Sequence, residues 1–148
     1  APDFTLHDSD KNKLTLSDLK GHNVLLLFFP QAFTGVCTKE LCSIRDNIAM
    51  YNSANARVLG ISVDSVFTLT KFKEDQHYNF PLLSDFNKEV SALYGSLYAE
   101  WILDMKCVSK RSAFVIDKEG FVQYAEVLES AGDLPSFANI AKTLSALG

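Results

Sequence analysis

The residues of this chain best placed to do chemistry lie in the segment Pro30-Gln31-Ala32-Phe33-Thr34-Gly35-Val36-Cys37. A strand-like apolar run ends at Pro30, a turn follows, and Cys37 opens a stretch with helical periodicity. The first turn of a helix offers unpaired N–H groups and the positive end of the dipole, and both favour thiolate over thiol. Thiolate is the nucleophilic form, so the position points to cysteine chemistry. A plainer role is also open, because cysteines are often just small buried hydrophobes. Thr34, three residues earlier, either brings its hydroxyl near the sulfur or simply caps the helix. Pro30 lacks an N–H and has a fixed φ, so it ends the strand and can shield the sulfur; an ordinary strand-ending proline would look the same. Glu40, one turn beyond Cys37, puts an acidic charge near the helix start, where it complements the dipole. Cys42 and Cys107 complete the set of three cysteines.

These residues need a scaffold, and 148 residues suffice for a single domain over 1–148 with a core of its own. The composition is 47% hydrophobic and 22% charged, which fits a globular protein and neither a disordered chain nor a membrane protein. The longest apolar run, Val24 to Pro30, is too short to span a bilayer and reads as a buried strand. A net charge of −4 without a basic cluster argues against nucleic acid or an anionic membrane as partner. Three cysteines cannot all pair within one chain, and no CxxC pair is present, which removes the zinc-ribbon and dithiol signatures. His7, His22 and His77 are scattered and lack metal-ligand spacing, so neither metal nor cofactor is expected. This cysteine usage suggests the reducing cytosol. The sequence starts at Ala1 and not Met, which leaves a removed targeting segment open.

Periodicity and turn chemistry supply the elements. Short extended segments are expected at Asp3 to Leu6 and Lys13 to Leu16, separated by a polar turn over His7 to Asn12. Asn23 to Phe29 is the strongest strand, and Ala56 to Val63 a second buried one. Cys37, Leu41, Ile44, Ile48 and Tyr51 recur at three- and four-residue steps and predict a helix from Val36 to about Asn52. Cys37 shares that apolar stripe, so its sulfur should face the protein body. Ser65 should cap a helix running to about Gln76, with Phe67, Leu69 and Phe72 as its apolar residues. A short strand at Phe80 to Leu83 and a helix over about Asn87 to Tyr94 follow. Ser112 to Ile116, the turn Asp117 to Gly120 and Phe121 to Val127 read as a hairpin. A last helix over about Asp133 to Leu147 carries Leu134, Phe137, Ile140, Ala141 and Leu144 on one face. The fold class is therefore α/β with a mixed central sheet flanked by helices. The order β-α-β-α-β-β-α with an N-terminal β extension matches a thioredoxin-like fold.

At this point the residues carry a sharper resemblance. Pro30-x-x-x-Thr34-x-x-Cys37 after a hydrophobic strand resembles the active-site signature of peroxiredoxins, the alkyl hydroperoxide reductase C/thiol-specific antioxidant family. Ala1-Pro2-Asp3-Phe4 and Arg111-Ser112-Ala113-Phe114-Val115-Ile116-Asp117 resemble that family's other landmarks, in the same order along the chain. The resemblance implies a thiol-dependent peroxidase that reduces hydrogen peroxide and organic hydroperoxides through a sulfenic acid on Cys37. Arg111 would be the catalytic arginine, holding the thiolate and donating to the peroxide oxygens; on position alone it reads as a solvated strand-end charge. Glu40 would orient Arg111. Arg45, two turns along the helix, lies about 12 Å from Cys37 by helix rise, too far for contact. Arg57 opens the next strand and stays open as a second cation near the site.

Cys42 decides the subtype. Its five-residue spacing from Cys37 resembles peroxiredoxin Q (bacterioferritin comigratory protein), where the later cysteine resolves the sulfenic acid into an internal disulfide. On an intact helix that spacing leaves Cα atoms roughly 8 to 9 Å apart, beyond the ~7 Å limit for a disulfide. A bridge therefore requires the first helical turns to unwind. The wording Ala32-Phe33-Thr34-Gly35-Val36-Cys37 also resembles the alkyl hydroperoxide reductase E group, in which an external thiol resolves and Cys42 would be inert. Cys107 has no counterpart in either pattern. The implied partners are a peroxide and a thiol reductant such as thioredoxin or glutaredoxin. A homodimer is also consistent, with Leu97, Tyr98, Trp101 and Ile102 as contact or core residues. Two other functions remain at this stage on the same fold: a general thiol–disulfide oxidoreductase, and a redox sensor without turnover.

Overall fold

The computed structural model describes residues 1–147. The strands are β1 (Thr5–Asp8), β2 (Lys13–Thr15), β3 (Asn23–Phe28), β4 (Ala56–Ser62), β5 (Leu82–Ser84), β6 (Ser112–Ile116) and β7 (Val122–Val127). They form one sheet in the order β2-β1-β5-β4-β3-β6-β7. The helices are α1 (Gly35–Asp46), α2 (Ile48–Ser53), α3 (Val66–Gln76), α4 (Glu89–Leu93) and α5 (Phe137–Leu147). Central β3 is buried along its whole length, as expected of a strand covered on both faces. It runs parallel to β4 and antiparallel to β6. The sheet is therefore mixed.

Alternation along β3 divides the core into two layers. Leu25, Leu27 and Phe29 pack with Cys37, Leu41 and Ile44 of α1, Leu69 and Phe72 of α3, and Ile140 and Leu144 of α5. Val24, Leu26 and Phe28 pack on the other face with Val90 of α4, Tyr94, Phe4 and Leu16. No described helix is long and apolar enough to cross a membrane.

The segment expected to be one helix from Val36 to Asn52 is two. Asn47 leaves helical geometry at φ −117° and ψ 18°, and its side-chain amide donates to the Ser43 carbonyl at 2.8 Å. Such local side-chain bonding is how Asn competes with helix continuation. The last helix begins at Phe137 and not near Asp133, because Pro135 disfavours helical geometry at Leu134. The first strand is displaced to Thr5–Asp8, since Asp8 itself builds the turn by accepting from the N–H groups of Asp10 and Asn12. Phe67 is three-quarters exposed and does not join the core. Ser65 caps α3 as expected, its hydroxyl accepting from the Thr68 N–H. Arg57 cannot approach Cys37. It pairs with Val24 at the start of two parallel strands, whereas Cys37 follows the end of β3.

Candidate active site

Three elements bring the site together. β3 ends at Phe28, and the buried Phe29 and Pro30 lead into a turn that starts α1. Cys37 is the third residue of that helix and is wholly buried. The third element arrives from far along the chain. Because β6 is antiparallel to β3, with Ser112 opposite Phe28, the residue before β6 stands beside the end of β3. That residue is Arg111, only 1% exposed.

The guanidinium is held by three partners. Nη2 donates to Cys37 Sγ at 3.1 Å and to the Ala131 carbonyl at 3.1 Å. Nη1 donates to Glu40 Oε1 at 2.8 Å, and Nε donates to the Ala131 carbonyl at 3.2 Å. A buried arginine needs acceptors of this kind, since an unpaired buried charge is costly. Glu40 is equally enclosed, sits on the sixth residue of α1 and so lies past the first turn; it faces Arg111 and not the helix dipole. Burial raises its pKa to about 7 against the opposing pull of Arg111. Among the described residues its Oε2 has no hydrogen-bond partner.

The charge count is instructive. One guanidinium faces two acids, Cys37 and Glu40, in a region closed to water. Both groups compete for the one cation, and burial of the carboxyl weakens the hold of Glu40 on it. Such a charge-assisted N–H contact is stronger to an anion than to a neutral thiol.

Thr34 occupies the N-cap position, yet its side chain makes no capping bond. Its hydroxyl instead donates to the Gln31 carbonyl at 2.8 Å. Two consequences follow. The first-turn N–H groups at 35–37 receive nothing from that hydroxyl, and the hydroxyl oxygen keeps its lone pairs to accept a bond from a bound molecule. A cleft of about 490 Å³ opens over this corner, lined by Thr34, Val36, Tyr98, Trp101, Ile102 and Arg111 among others. Tyr98 and Trp101 stack at 6.4 Å to form its aromatic wall.

All three cysteines are free thiols. Cys42 is half-buried on the same helix, near Gln76 Oε1 at 3.6 Å and the Tyr78 hydroxyl at 3.8 Å. Cys107 lies in a loop with φ +57°, apart from these contacts. Arg45 is engaged elsewhere, with Asp46 at 2.9 Å and the Gln76 carbonyl at 2.6 Å. Among the described residues no cluster of three or more His, Cys, Asp or Glu could hold a metal ion.

Three contributors escaped the sequence reading. Ala131 acts through its backbone carbonyl, which no residue type announces. Tyr78 donates its hydroxyl to the Thr38 carbonyl at 3.4 Å, beside both cysteines. Asp64 accepts from the Ala32 N–H at 2.7 Å across the turn before α1. Of the three, Asp64 had a signal: an acidic residue just past a parallel strand, at the sheet edge where α/β sites form.

The AhpC/TSA family profile matches residues 1–125, and the chain belongs to that family, the peroxiredoxins. It is 38% identical over 130 residues to alkyl hydroperoxide reductase E of Mycobacterium tuberculosis, covering 86% of this chain and 82% of that one. Peroxiredoxin Bcp of Escherichia coli is 36% identical over 126 residues, 84% of this chain and 80% of the relative. Among solved structures, peroxidoxin BcpB from Mycobacterium tuberculosis superposes with a TM-score of 0.86 at 34% identity, over 100% of this chain and 95% of that one. The fold is thus the thioredoxin-like fold of peroxiredoxins, and the protein is a thiol-dependent peroxidase. Its reaction takes a peroxide and a thiol reductant.

Proposed function

We propose that Cys37 is the peroxidatic nucleophile and that Arg111, Thr34, Pro30 and Glu40 make its site. The observation that carries this reading is the Arg111 Nη2 contact to Cys37 Sγ at 3.1 Å, with both groups removed from solvent. In the proposed step, the Cys37 thiolate attacks the nearer peroxide oxygen of ROOH. An S–O bond forms, the O–O bond breaks, and the leaving oxygen departs as alkoxide and takes a proton to become alcohol, or water when R is hydrogen. Sulfur is oxidised by two electrons to sulfenic acid. Thr34 accepts a hydrogen bond from the peroxide O–H through its free lone pairs, aligning the O–O bond with sulfur. Arg111 donates to the oxygen on which charge develops. Pro30 closes the pocket against water, and Glu40 holds the guanidinium plane.

Cys42 then resolves the sulfenic acid: its sulfur attacks Cys37, water leaves, and a disulfide forms. Both residues lie within α1, so this step requires the helix to open. A dithiol such as thioredoxin or glutaredoxin restores both thiols. We further propose that residues 1–148 act as one domain, in the cytoplasm, with a homodimer formed through the Tyr98–Ile102 region. Half-exposed Ile102 and strongly exposed Leu103 support that contact. Both hydrogen peroxide and organic hydroperoxides are proposed substrates, the apolar cleft wall suiting the latter.

Two measurements test the reading. Cys37→Ser is expected to abolish peroxide consumption with a complete reductant system; a variant that still turns over would remove the nucleophile assignment. Mass spectrometry after one equivalent of peroxide is expected to show a Cys37–Cys42 linkage, two mass units below the reduced chain. A persistent sulfenic acid would transfer resolution to an external thiol.

A further inference from the structure

The turn that delivers Cys37 does not hold itself. Phe33 sits at φ +65°, in the left-handed region, where an aromatic residue is strained and persists only when neighbours fix it. Within the turn there is one side-chain bond, from the Thr34 hydroxyl to the Gln31 carbonyl. Pro30 has no N–H to offer. The remaining restraint comes from outside. The Ala32 N–H, one residue before the strained position, donates to Asp64 Oδ2 at 2.7 Å, a short charge-assisted contact. The Phe33 ring, half exposed, adds a contact with Phe72 at 5.0 Å between centroids.

Asp64 is itself built in. The same Oδ2 accepts from the Ser62 hydroxyl at 2.7 Å, the Asp64 N–H donates to Ser62 Oγ at 3.2 Å, and the Asp64 carbonyl accepts from Ser84 Oγ at 2.6 Å. Strands β4 and β5 thus hold the carboxylate before the turn reaches it. Asp64 touches neither Cys37 nor Arg111 through any of these bonds. From this geometry we infer that Asp64 is a positioning residue for the peroxidase reaction, a latch that fixes the turn at Ala32 and through it the start of α1.

The inference rests on the reading of Cys37 as nucleophile and assigns the latch two opposite effects. Closed, it sets where the sulfur meets the guanidinium, a geometry in which a misplacement of about 1 Å can cost on the order of 100-fold in rate. Closed, it also resists the unwinding that a Cys37–Cys42 bridge demands. Releasing it should therefore slow the first step and speed the second. General loosening of the fold would not separate the two.

The test compares Asp64→Ala and Asp64→Asn with the unmodified chain, following each step by stopped-flow fluorescence and quenched mass spectrometry. Asp64→Ala is expected to slow oxidation of Cys37 by hydrogen peroxide by roughly tenfold or more. The same variant is expected to convert sulfenic acid to disulfide faster than the unmodified chain. Asp64→Asn keeps an acceptor for Ala32 but loses the charge, so it should fall between the two on both steps; it also serves if the alanine variant does not fold. Unchanged oxidation in the alanine variant, or in the asparagine variant alone if only that one folds, would overturn the latch. Equal slowing of both steps would overturn it as well. Cys37→Ser run in parallel separates the outcomes: activity surviving there sinks the nucleophile assignment itself, whatever the Asp64 variants do.

Discussion

Cys37 and Cys42 occupy the same helix, five residues apart, and meet opposite environments. Cys37 is wholly buried with a guanidinium nitrogen at 3.1 Å. Cys42 is half-buried, and its sulfur bonds are to neutral groups, the Gln76 amide and the Tyr78 hydroxyl at 3.6 Å and 3.8 Å. The cation near it, Arg45, is bonded to Asp46 and the Gln76 carbonyl and not to the sulfur. Identical side chains on one scaffold are thus set apart by what the rest of the chain brings to them. Helix position alone does not make a nucleophile. On the proposed reading, a counter-charge delivered from another strand does, and the helix decides which thiol can receive it.

The comparison breaks most visibly if that counter-charge is altered. Arg111→Lys keeps the positive charge but loses the planar fork that reaches Cys37, Glu40 and Ala131 together. Loss of such preorganised donors typically costs roughly 10²–10³-fold in rate, and that fall is expected in the second-order constant for peroxide oxidation. A variant that reacts as fast as the unmodified protein would erase the distinction between the two cysteines.

Glu40→Gln comes next and acts on pH dependence. Burial raises the folded-state pKa of Glu40 to about 7 from an ordinary value of 4.5. Between those values the folded chain keeps a proton that the unfolded chain has lost, so stability declines as pH rises through the window and levels off above it. Glutamine keeps an acceptor for Arg111 and has no proton to lose. Urea unfolding across pH 4.5 to 7 is expected to lose this component of the slope in Glu40→Gln. An unchanged slope would mean that Glu40 ionises at its ordinary value.

Tyr78→Phe removes the hydroxyl that contacts Cys42 and the Thr38 carbonyl while preserving ring packing on Phe72 and Phe80. A stability loss of about 1 kcal/mol is expected for one such bond, read by chemical unfolding. The smallest effect belongs to Cys42→Ser, whose first oxidation should match the unmodified chain because Cys42 contributes no bond to the Arg111 cluster. Its recycling, by contrast, should change from internal disulfide to an external thiol. A slowed first oxidation would place Cys42 in the peroxide step and merge the two roles.

Much of this was legible in the residues. The run at 23–29 and the helical stripe through Cys37, Leu41 and Ile44 placed the central strand and the cysteine helix, and all three stripe residues are buried. What sequence could not supply was register. By position alone Arg111 reads as a solvated strand-end charge; only the family resemblance singled it out, and antiparallel pairing with β3, which puts Ser112 opposite Phe28, is what carries it to Cys37. Glu40 suited a dipole role and an Arg111-orienting role equally until the helix began at Gly35 and turned it inward to Arg111. Which strands pair is a property of the assembled sheet, and the pattern along one segment does not name its partner. The break at Asn47 and the late start at Phe137 were missed for a smaller reason, because apolar spacing continued through an Asn and a Pro whose local chemistry stops a helix.

The antiparallel pairing of β3 with β6 has a consequence for how this protein is made. The sulfur emerges from the ribosome well before its guanidinium, since 73 residues separate positions 37 and 111. A chain still in synthesis therefore carries a cysteine without its cation, and on the proposed reading the oxidant-consuming centre comes into being only when the penultimate strand docks. Fast reactivity toward peroxide is then a readout of completed folding, and the half-built molecule reacts only as an ordinary thiol.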